Sequence, residues 1–280
     1  MDNLQHQRLE LKYIIHEKVA LAVRDFVSSN LSIDKFCAEQ SDLSYPVHSL
    51  YLDSDHLTFY WHTINGNKNR YKLRLRYYDD RPLSPVFFEI KQRMNDAILK
   101  QRGAVKRTAV DALLAGQLPE AGELYSKEPG QFLTLERFCQ LMLHHEAKPK
   151  AHVTYRREAW VSTHNNSVRV TMDRQIQLDP EPTASLHTKT NHPFAVFGRN
   201  VVLELKFTGR FPDWFRDLVR RFDLWQGSAA KYVDGVTLLL ESGHNLRTAA
   251  MPVTMEAEER LHARREFLDK NQEKAELAIV

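Results

Sequence analysis

The feature that most constrains the fold of this chain is a strict alternation of cationic and apolar side chains along one short segment. The segment YKLRLRY spans residues 71–77 and places Lys72, Arg74 and Arg76 at every second position. Because successive side chains of a β-strand point to opposite faces of a sheet, the three cations share one face. Like charges at this spacing repel each other, which costs stability unless an anion offsets them. The segment therefore predicts a strand whose charged face meets an anion.

Further segments alternate in the same way, with carboxylates among the cations. They are LELKY at 9–13, VFFEIK at 86–91, HVTYRREAW at 152–160, SVRVTMD at 167–173 and VVLELKF at 201–207. One account is a half-buried antiparallel sheet with its charged face in water. The account we favour for all the strands together is a closed β-barrel, with apolar faces outward under helices and charged faces converging on a basic tunnel. Such a tunnel suits a chain of phosphates, because arginine and lysine bind phosphate oxygens well.

Apolar spacing elsewhere predicts helices and sets the domain boundaries. Helical periodicity covers residues 15–28, 132–145, 211–222 and 228–240, and segments 117–131 and 179–200 are predicted loops. We therefore predict an α+β fold with one domain over residues 1–245. Residues 246–280 carry charges of both signs and few large apolar side chains, which is typical of an exposed helix or a disordered extension.

Composition excludes several classes of protein. The net charge is only +3, so we expect no nucleic acid partner. The N-terminal residues lack the pattern of a signal peptide, and no apolar run reaches the roughly 20 residues of a membrane span, so we expect a soluble cytoplasmic protein. Cys37 and Cys139 form no CxxC pair, and we predict a buried thiol at Cys139 and no disulfide. The histidines lack metal-ligand spacing and are interpreted as surface or packing residues.

The order of the motifs resembles one known family. The motifs ELKY, SLYLDS, YKLRLRYY, FFEIKQR, VKRTA, TYRREAW, VRVTMD, VLELKF and AAKY follow one another over residues 8–240. This order is similar to that of the VTC (vacuolar transporter chaperone) domain, the polyphosphate polymerase branch of the triphosphate tunnel metalloenzymes. The resemblance implies an eight-stranded antiparallel β-barrel surrounded by helices. It also implies transfer of the γ-phosphate of ATP to a growing polyphosphate chain, with manganese or magnesium as the cofactor.

The resemblance also assigns roles to the residues at matching positions. Glu204 of LELK is the implied metal ligand. The implied catalytic cations are Arg74, Arg76, Arg157 and Lys206. The expected phosphate ligands are Lys12, Lys72, Lys91, Lys106, Tyr155, Arg169 and Lys231, of which Lys72 is included because it shares the charged face of its strand. The expected ligands of the whole site are thus ATP, polyphosphate and one divalent metal.

Two positions depart from the family pattern. The family often has serine before its last lysine, where this chain has Ala230, so one phosphate hydrogen bond is lost or is supplied by another residue such as Ser228. The related triphosphatase and cyclase branch carries ExExK on the first strand, where this chain has RLELK with Arg8. Arg8 favours the polymerase branch over a triphosphate or tripolyphosphate hydrolase in the same tunnel. A non-catalytic module that binds polyphosphate or inositol phosphates is the other alternative. The resemblance further implies a separate membrane protein as partner.

Overall fold

Antiparallel strands and the helices packed on them make up the fold. The computed structural model describes residues 8–95, 97–126, 128–163, 167–243, 246, 259–260, 262–267, 269–270 and 273. The strands are β1 (Arg8–Ile15), β2 (Ser32–Ile33), β3 (Tyr45–Asp53), β4 (Asn69–Tyr77), β5 (Val86–Met94), β6 (Ala97–Val105), β7 (Lys148–Val161), β8 (Val168–Pro180), β9 (Phe194–Ala195) and β10 (Val201–Thr208). The helices of the body are α1 (Glu17–Ser28), α2 (Lys35–Ala38), α3 (Thr58–Ile64), α4 (Val110–Leu114), α5 (Pro129–His144), α6 (Asp213–Arg221) and α7 (Lys231–Glu241), with a 3-10 turn at Arg107–Ala109.

The sheet has one continuous path. Its strands follow the order β1-β10-β8-β7-β3-β4-β5-β6, with β2 added to β7 and β9 to β8, and every pairing is antiparallel. This confirms the predicted α+β class. In the described part of the chain no ladder joins β1 to β6, so the closure of the predicted barrel is not confirmed. The sheet is nevertheless strongly curled, because Lys91 Nζ on β5 lies 3.4 Å from Glu10 Oε2 on β1.

The apolar faces of the strands are covered by helices, as the alternation predicts. Leu73 and Leu75 of β4 lie in a core with Phe138 and Cys139 of α5, and all four side chains are buried. The thiol of Cys139 is free, and so is that of Cys37. A second core joins the apolar residues of β1, β8 and β10 to α1 and α6. Burial of this size is the main source of stability in a fold of this kind. The charged faces of the same strands are thereby turned to the inside of the curl.

Helix α7 is positioned closely against the sheet by a glycine. A Cβ atom on Gly235 would lie 2.5 Å from Leu178 Cδ1 on β8, so only glycine permits this approach. The approach places Lys231, the first residue of α7, beside the inner face of the curled sheet. The four predicted helices are found within one turn of their predicted ends, although α5 begins at Pro129, inside a predicted loop. Within the described residues, no helix combines the length and the apolarity that crossing a membrane requires.

The described residues near the C-terminus lie against α7. They are helical at 259–260, 262–267 and 269–270. Arg264 Nε donates a hydrogen bond to Asp234 Oδ1 on α7 at 2.8 Å, and Arg264 Nη2 donates to the carbonyl oxygen of Ser228 at 2.9 Å. Phe267 packs on the edge of the core that contains α7. The division of the chain into a domain up to residue 245 and a tail after it stays a prediction. Arg264 and Phe267 of the tail contact the domain.

Candidate functional site

The charged faces of the strands line one cavity of about 990 Å³. Nearly every residue that the sequence predicts for the site lies in its wall. Those residues are Lys12, Lys72, Arg74, Arg76, Lys91, Tyr155, Arg157, Arg169, Glu204, Lys206 and Lys231. The exception is Lys106, an exposed residue that precedes the 3-10 turn and is not part of this wall. The alternation of charge in the sequence thus corresponds to a single lined space.

The centre of the cavity is the buried carboxylate of Glu204 on β10. Lys231 Nζ donates to Glu204 Oε1 at 2.9 Å, and Lys206 Nζ, from the same strand, pairs with Oε2. Lys12 Nζ lies 3.7 Å from Oε1, and Arg157 Nη2 lies 3.5 Å from Oε2. Burial alone would raise the pKa of Glu204, but these cations hold it well below its usual value. Glu204 is therefore ionised and is surrounded by four cations of the predicted site.

A second buried carboxylate, Asp173 on β8, orients two of these cations. The register of β7 and β8 places Arg157 opposite Asp173. Arg157 donates from Nε to Oδ1 and from Nη2 to Oδ2, both at 2.7 Å, and Lys231 Nζ lies 2.8 Å from Oδ2. A bidentate pair of this kind fixes the plane of the guanidinium group. Burial alone would lower the pKa of Lys231, but Asp173 and Glu204 raise it above its usual value, so Lys231 is charged.

A third carboxylate, Glu89 on β5, orients the cations on the other side of the cavity. The ladders place Glu89 between Arg74 of β4 and Arg102 of β6. Arg74 Nε donates to Oε2 and Arg102 Nε donates to Oε1, each at 2.8 Å, and Lys100 Nζ also lies 2.8 Å from Oε1. Arg76 Nη1 is more distant, at 3.9 Å from Oε2. One carboxylate thus faces four cations, which leaves a surplus of positive charge for an anionic ligand.

A row of lysines crosses the same wall without a carboxylate between its members. Lys72 on β4 is opposite Lys91 on β5, which is opposite Lys100 on β6. Within the described residues, the ammonium group of Lys72 has no hydrogen bond or ion pair. Burial and then the charges of Lys91 and Lys12 hold the pKa of Lys72 well below its usual value. An unpaired lysine in this position is stabilised in its charged form when an anion enters.

Hydroxyl groups hold Arg76, and a carboxylate holds Arg169. Arg76 Nη2 donates to the hydroxyl oxygens of Tyr155, at 3.1 Å, and of Ser49, at 3.2 Å. Arg169 Nη2 donates to Asp34 Oδ2 at 3.1 Å, close to the start of α2. The phenol of Tyr155 is therefore already bonded to an arginine, and its role as a phosphate ligand stays a prediction.

The sequence analysis missed two cavity cations on β6. Lys100 and Arg102 lie two residues apart in AILKQRGAV, which repeats the alternation found in β4. The segment also contains Gly103, a residue that weakens a strand prediction. The structure shows why glycine is present there, because a Cβ atom on Gly103 would lie 2.6 Å from Leu135 Cγ on α5. Spacing of cations by two was the signal that could have found this strand.

The carboxylates of the cavity can accommodate a divalent cation. Glu10 on β1 faces the same ammonium groups as Glu204, because Lys206 Nζ lies 3.8 Å from Glu10 Oε1 and pairs with Glu204 Oε2. Burial opposes ionisation of Glu10, but Lys12, Lys91 and Lys206 lower its pKa to about 2. A hard divalent cation prefers oxygen ligands, so these two ionised carboxylates are the groups that would hold it, in place of the ammonium group that they share. The metal role of Glu204 stays a prediction, to which the structure adds Glu10 as a neighbouring carboxylate.

A separate group of residues has the spacing of metal ligands but lies away from the cavity. Ligand atoms of His152, Glu181 and His187 lie within 4.8 Å of one another. Tyr77 Oη lies 3.2 Å from His152 Nε2, and His187 Nε2 lies 3.2 Å from Glu181 Oε2. None of these three residues is in the cavity wall. They connect the long segment after β8 to the outer face of the sheet.

The fold and the cavity define a tunnel-type protein that handles phosphate compounds. The VTC domain family matches residues 7–240, which is most of the chain, and the chain belongs to this family. The resemblance inferred from the motif order is thereby confirmed. None of the curated proteins compared with the chain matches it.

Three solved structures show distant likeness to the chain. A candidate adenylate cyclase from Bacillus halodurans is 12% identical with a TM-score of 0.45, covering 80% of this chain and 94% of that one. The PH1819 protein from Pyrococcus horikoshii OT3 is 12% identical with a TM-score of 0.39, covering 84% of this chain and 99% of that one. A chain of the Mediator head module from Schizosaccharomyces pombe is 8% identical with a TM-score of 0.38, covering 84% and 95%.

Proposed function

We propose that this protein is a polyphosphate polymerase, which transfers the γ-phosphate of ATP to the end of a growing polyphosphate chain inside the cavity. The observation that supports the proposal best is the convergence of the predicted cations on one cavity around the ionised Glu204. The tunnel of this proposal is the space inside the curled sheet, which the Glu10–Lys91 ion pair spans between β1 and β5. The family to which the chain belongs is consistent with this function.

The proposed reaction asks the protein for binding and charge neutralisation rather than for a strong base. A terminal oxygen of the polyphosphate chain attacks the γ-phosphorus of ATP, a new P–O–P bond forms, and the bond between the γ-phosphorus and the β-bridging oxygen breaks to release ADP. The attacking oxygen is already an anion, so no side chain has to remove a proton. Arg74, Arg76 and Arg157 would bind the non-bridging oxygens and stabilise charge as it moves to the leaving group.

The carboxylates set the positions of these cations before the phosphates enter. Asp173 fixes Arg157 and Glu89 fixes Arg74, each through charge-assisted hydrogen bonds of 2.7–2.8 Å. Cations held in this way need little reorganisation when a phosphate chain arrives, which favours catalysis by positioning. We assign Glu204, with Glu10, to hold Mn²⁺ or Mg²⁺. Such an ion, when bound, neutralises charge on the phosphate oxygens.

The proposal is tested by supplying ATP with Mn²⁺ or Mg²⁺ to the purified full chain. Long-chain polyphosphate is measured on a gel, and orthophosphate is measured in the same samples. We expect polyphosphate and ADP to accumulate together, with little orthophosphate. Orthophosphate without polyphosphate would identify a hydrolase instead, and binding of tripolyphosphate without turnover of ATP would identify a non-catalytic module. Either result contradicts the polymerase.

A matched pair of variants tests the role of Glu204. Glu204→Gln keeps the shape of the side chain and removes its charge, and we expect polymerisation to fall by roughly a hundredfold. Glu120→Gln makes the same change at an exposed residue outside the cavity wall and should leave the rate unchanged. Normal polymerisation by Glu204→Gln would overturn the assignment of the metal site.

A further inference from the structure

One end of the cavity carries a group of neighbouring aromatic side chains. Its lining includes the aromatic residues Phe36, Tyr45, Tyr78 and Phe87. Tyr45 begins β3, Tyr78 follows the last residue of β4, and Phe87 is the second residue of β5. The antiparallel ladders bring these three positions to the same end of the sheet. We call these four residues the aromatic rim.

The rings of the aromatic rim form a continuous row. The ring centroids of Phe36 and Tyr45 lie 6.3 Å apart, those of Tyr45 and Tyr78 6.0 Å apart, and those of Tyr78 and Phe87 6.0 Å apart. The interplanar angles of 62–74° are those of edge-to-face contacts. Phe36 is 54% exposed, although it lines a cavity. An aromatic side chain left exposed beside a ligand cavity is typical of a surface that a planar partner covers.

The aromatic rim is connected to two arginines of the cavity wall, to Arg169 through a shared carboxylate and to Arg102 by direct contact. The backbone N–H of Phe36 donates to Asp34 Oδ1 at 3.0 Å, and Arg169 donates to the other oxygen of the same carboxylate at 3.1 Å. At the other end of the row, the guanidinium group of Arg102 lies over the ring of Phe87, 4.2 Å from its centroid. Arg102 Nη2 also lies 3.4 Å from Tyr78 Oη. A ligand can therefore touch the rings and the cations at the same time.

We propose that the aromatic rim binds the nucleobase of the nucleoside triphosphate whose phosphates occupy the cationic part of the cavity. This inference rests on the proposed function, because it assumes that a nucleotide is the phosphate donor. A nucleobase is flat and apolar on its faces. It stacks on aromatic rings and on arginine whichever base it is. Inorganic polyphosphate has no such group. The rim thus distinguishes the nucleotide donor from the inorganic acceptor.

The test compares the binding of ATP with that of inorganic tripolyphosphate. Both are titrated calorimetrically into the full chain in EDTA, so that no ATP is consumed. Phe36→Ala should weaken ATP binding by roughly fivefold or more, the factor of one base-stacking contact, and should change tripolyphosphate binding by less than about twofold. Phe36→Trp should retain ATP binding, because it keeps an aromatic face. Leu133→Ala removes an exposed apolar side chain on α5, outside the cavity wall, and should affect neither ligand.

A second variant, outside α2, shows whether a loss of binding in Phe36→Ala comes from a local folding defect of that helix. Tyr125 is 55% exposed, lines the cavity, and is bonded through its backbone to Ala104, which is opposite Phe87. Tyr125→Ala removes a further exposed ring at this end of the cavity, beside the aromatic rim, and should reproduce the selective loss of ATP binding. Equal losses for the two ligands, or no loss with either variant, would overturn the nucleobase site while leaving phosphate binding intact. If the unmodified protein binds neither ligand in EDTA and also makes no polyphosphate from ATP with Mn²⁺ or Mg²⁺, the proposed function itself fails.

Discussion

Lys231 Nζ lies 2.9 Å from Glu204 Oε1, which joins the first residue of α7 to the middle of β10. The two residues are 27 positions apart in sequence, and their contact joins a helix to a strand in the cavity wall. Its consequence is that the position of a predicted phosphate ligand depends on how α7 packs.

Removal of the charge of Lys231 should weaken phosphate binding directly. Lys231→Met keeps the length of the side chain and deletes the ammonium group that faces Glu204 and Asp173. We expect the dissociation constant for tripolyphosphate to rise roughly tenfold to a hundredfold, since a charge-assisted hydrogen bond is lost and two carboxylates are left less neutralised. Calorimetric titration measures the change. Lys18→Met, at an exposed position of α1, is the control, and equal affinity in both variants would contradict the role of Lys231.

Phosphate binding should depend on pH through Lys206. Burial lowers the pKa of Lys206 to about 8, although Glu204 and Glu10 oppose this shift. The side chain is therefore charged below about pH 8 and becomes neutral as the pH rises above it. We expect the wild-type protein to bind tripolyphosphate more tightly than Lys206→Met at pH 7, and this advantage to shrink by pH 9. Because both proteins bind the same ligand at each pH, the ionisation of tripolyphosphate affects them equally and cancels in the comparison. An advantage that is constant with pH would contradict the prediction.

Glu158 should be a major determinant of stability, outside the cavity. Its fully buried carboxylate accepts hydrogen bonds from Arg24 Nε at 2.9 Å, Arg174 Nη1 at 2.8 Å and Trp160 Nε1 at 2.7 Å. Glu158→Gln leaves Arg24 without its counter-charge and Arg174 with Glu17 alone, and we expect the free energy of unfolding to fall by about 3–5 kcal/mol. Denaturation by urea measures it.

The control for Glu158 is an ion pair on the surface. Asp42, which is exposed, pairs with Arg156 at 2.6 Å. Because water screens such a pair, Asp42→Asn should lower the free energy of unfolding by less than about 1 kcal/mol. Similar losses in the two variants would show that burial does not set the cost at Glu158.

The sequence predicted the wall of the cavity better than its internal contacts. Alternation in β4 and β10 identifies Arg74 and Glu204 as residues of one charged face, because side-chain direction in a strand follows from position alone. The pairing of Arg157 with Asp173 needs the register of β7 and β8, which shifts at an irregularity near Thr154 that no local pattern announces. Register depends on packing across the whole sheet.

The same reasoning explains what was missed or displaced. The sequence did not predict Arg102 because its strand contains Gly103, and glycine weakens a strand pattern. Glycine is required at this position by a close contact with a helix some thirty residues away in sequence. Lys106 follows that strand in the chain, but the backbone turns into a 3-10 helix immediately after it and carries its side chain away from the wall. Local composition cannot show where a chain turns in relation to a cavity.

The last prediction concerns the contact between Arg264 and Asp234. Asp234 is fully buried on α7, three residues after Lys231, and burial raises its pKa although Arg264 opposes the shift. Its other oxygen accepts a hydrogen bond from the backbone N–H of Ala230 at 2.7 Å, so the carboxylate fixes the start of the helix. Arg264→Ala leaves this carboxylate without its cation. We expect a loss of about 1.5–3 kcal/mol in the free energy of unfolding and weaker tripolyphosphate binding through displacement of Lys231.

A double-mutant cycle separates this contact from a general effect of the tail. If the carboxylate is the cause, Asp234→Asn should remove much of the cost of Arg264→Ala, because a neutral amide needs no counter-charge. Arg265→Ala is the neighbouring control. Its side chain is 42% exposed and pairs with Glu241, so its loss should cost less than about 1 kcal/mol. Strictly additive effects of Arg264→Ala and Asp234→Asn, or an equal effect of Arg265→Ala, would show that the C-terminal residues do not position α7 through Asp234.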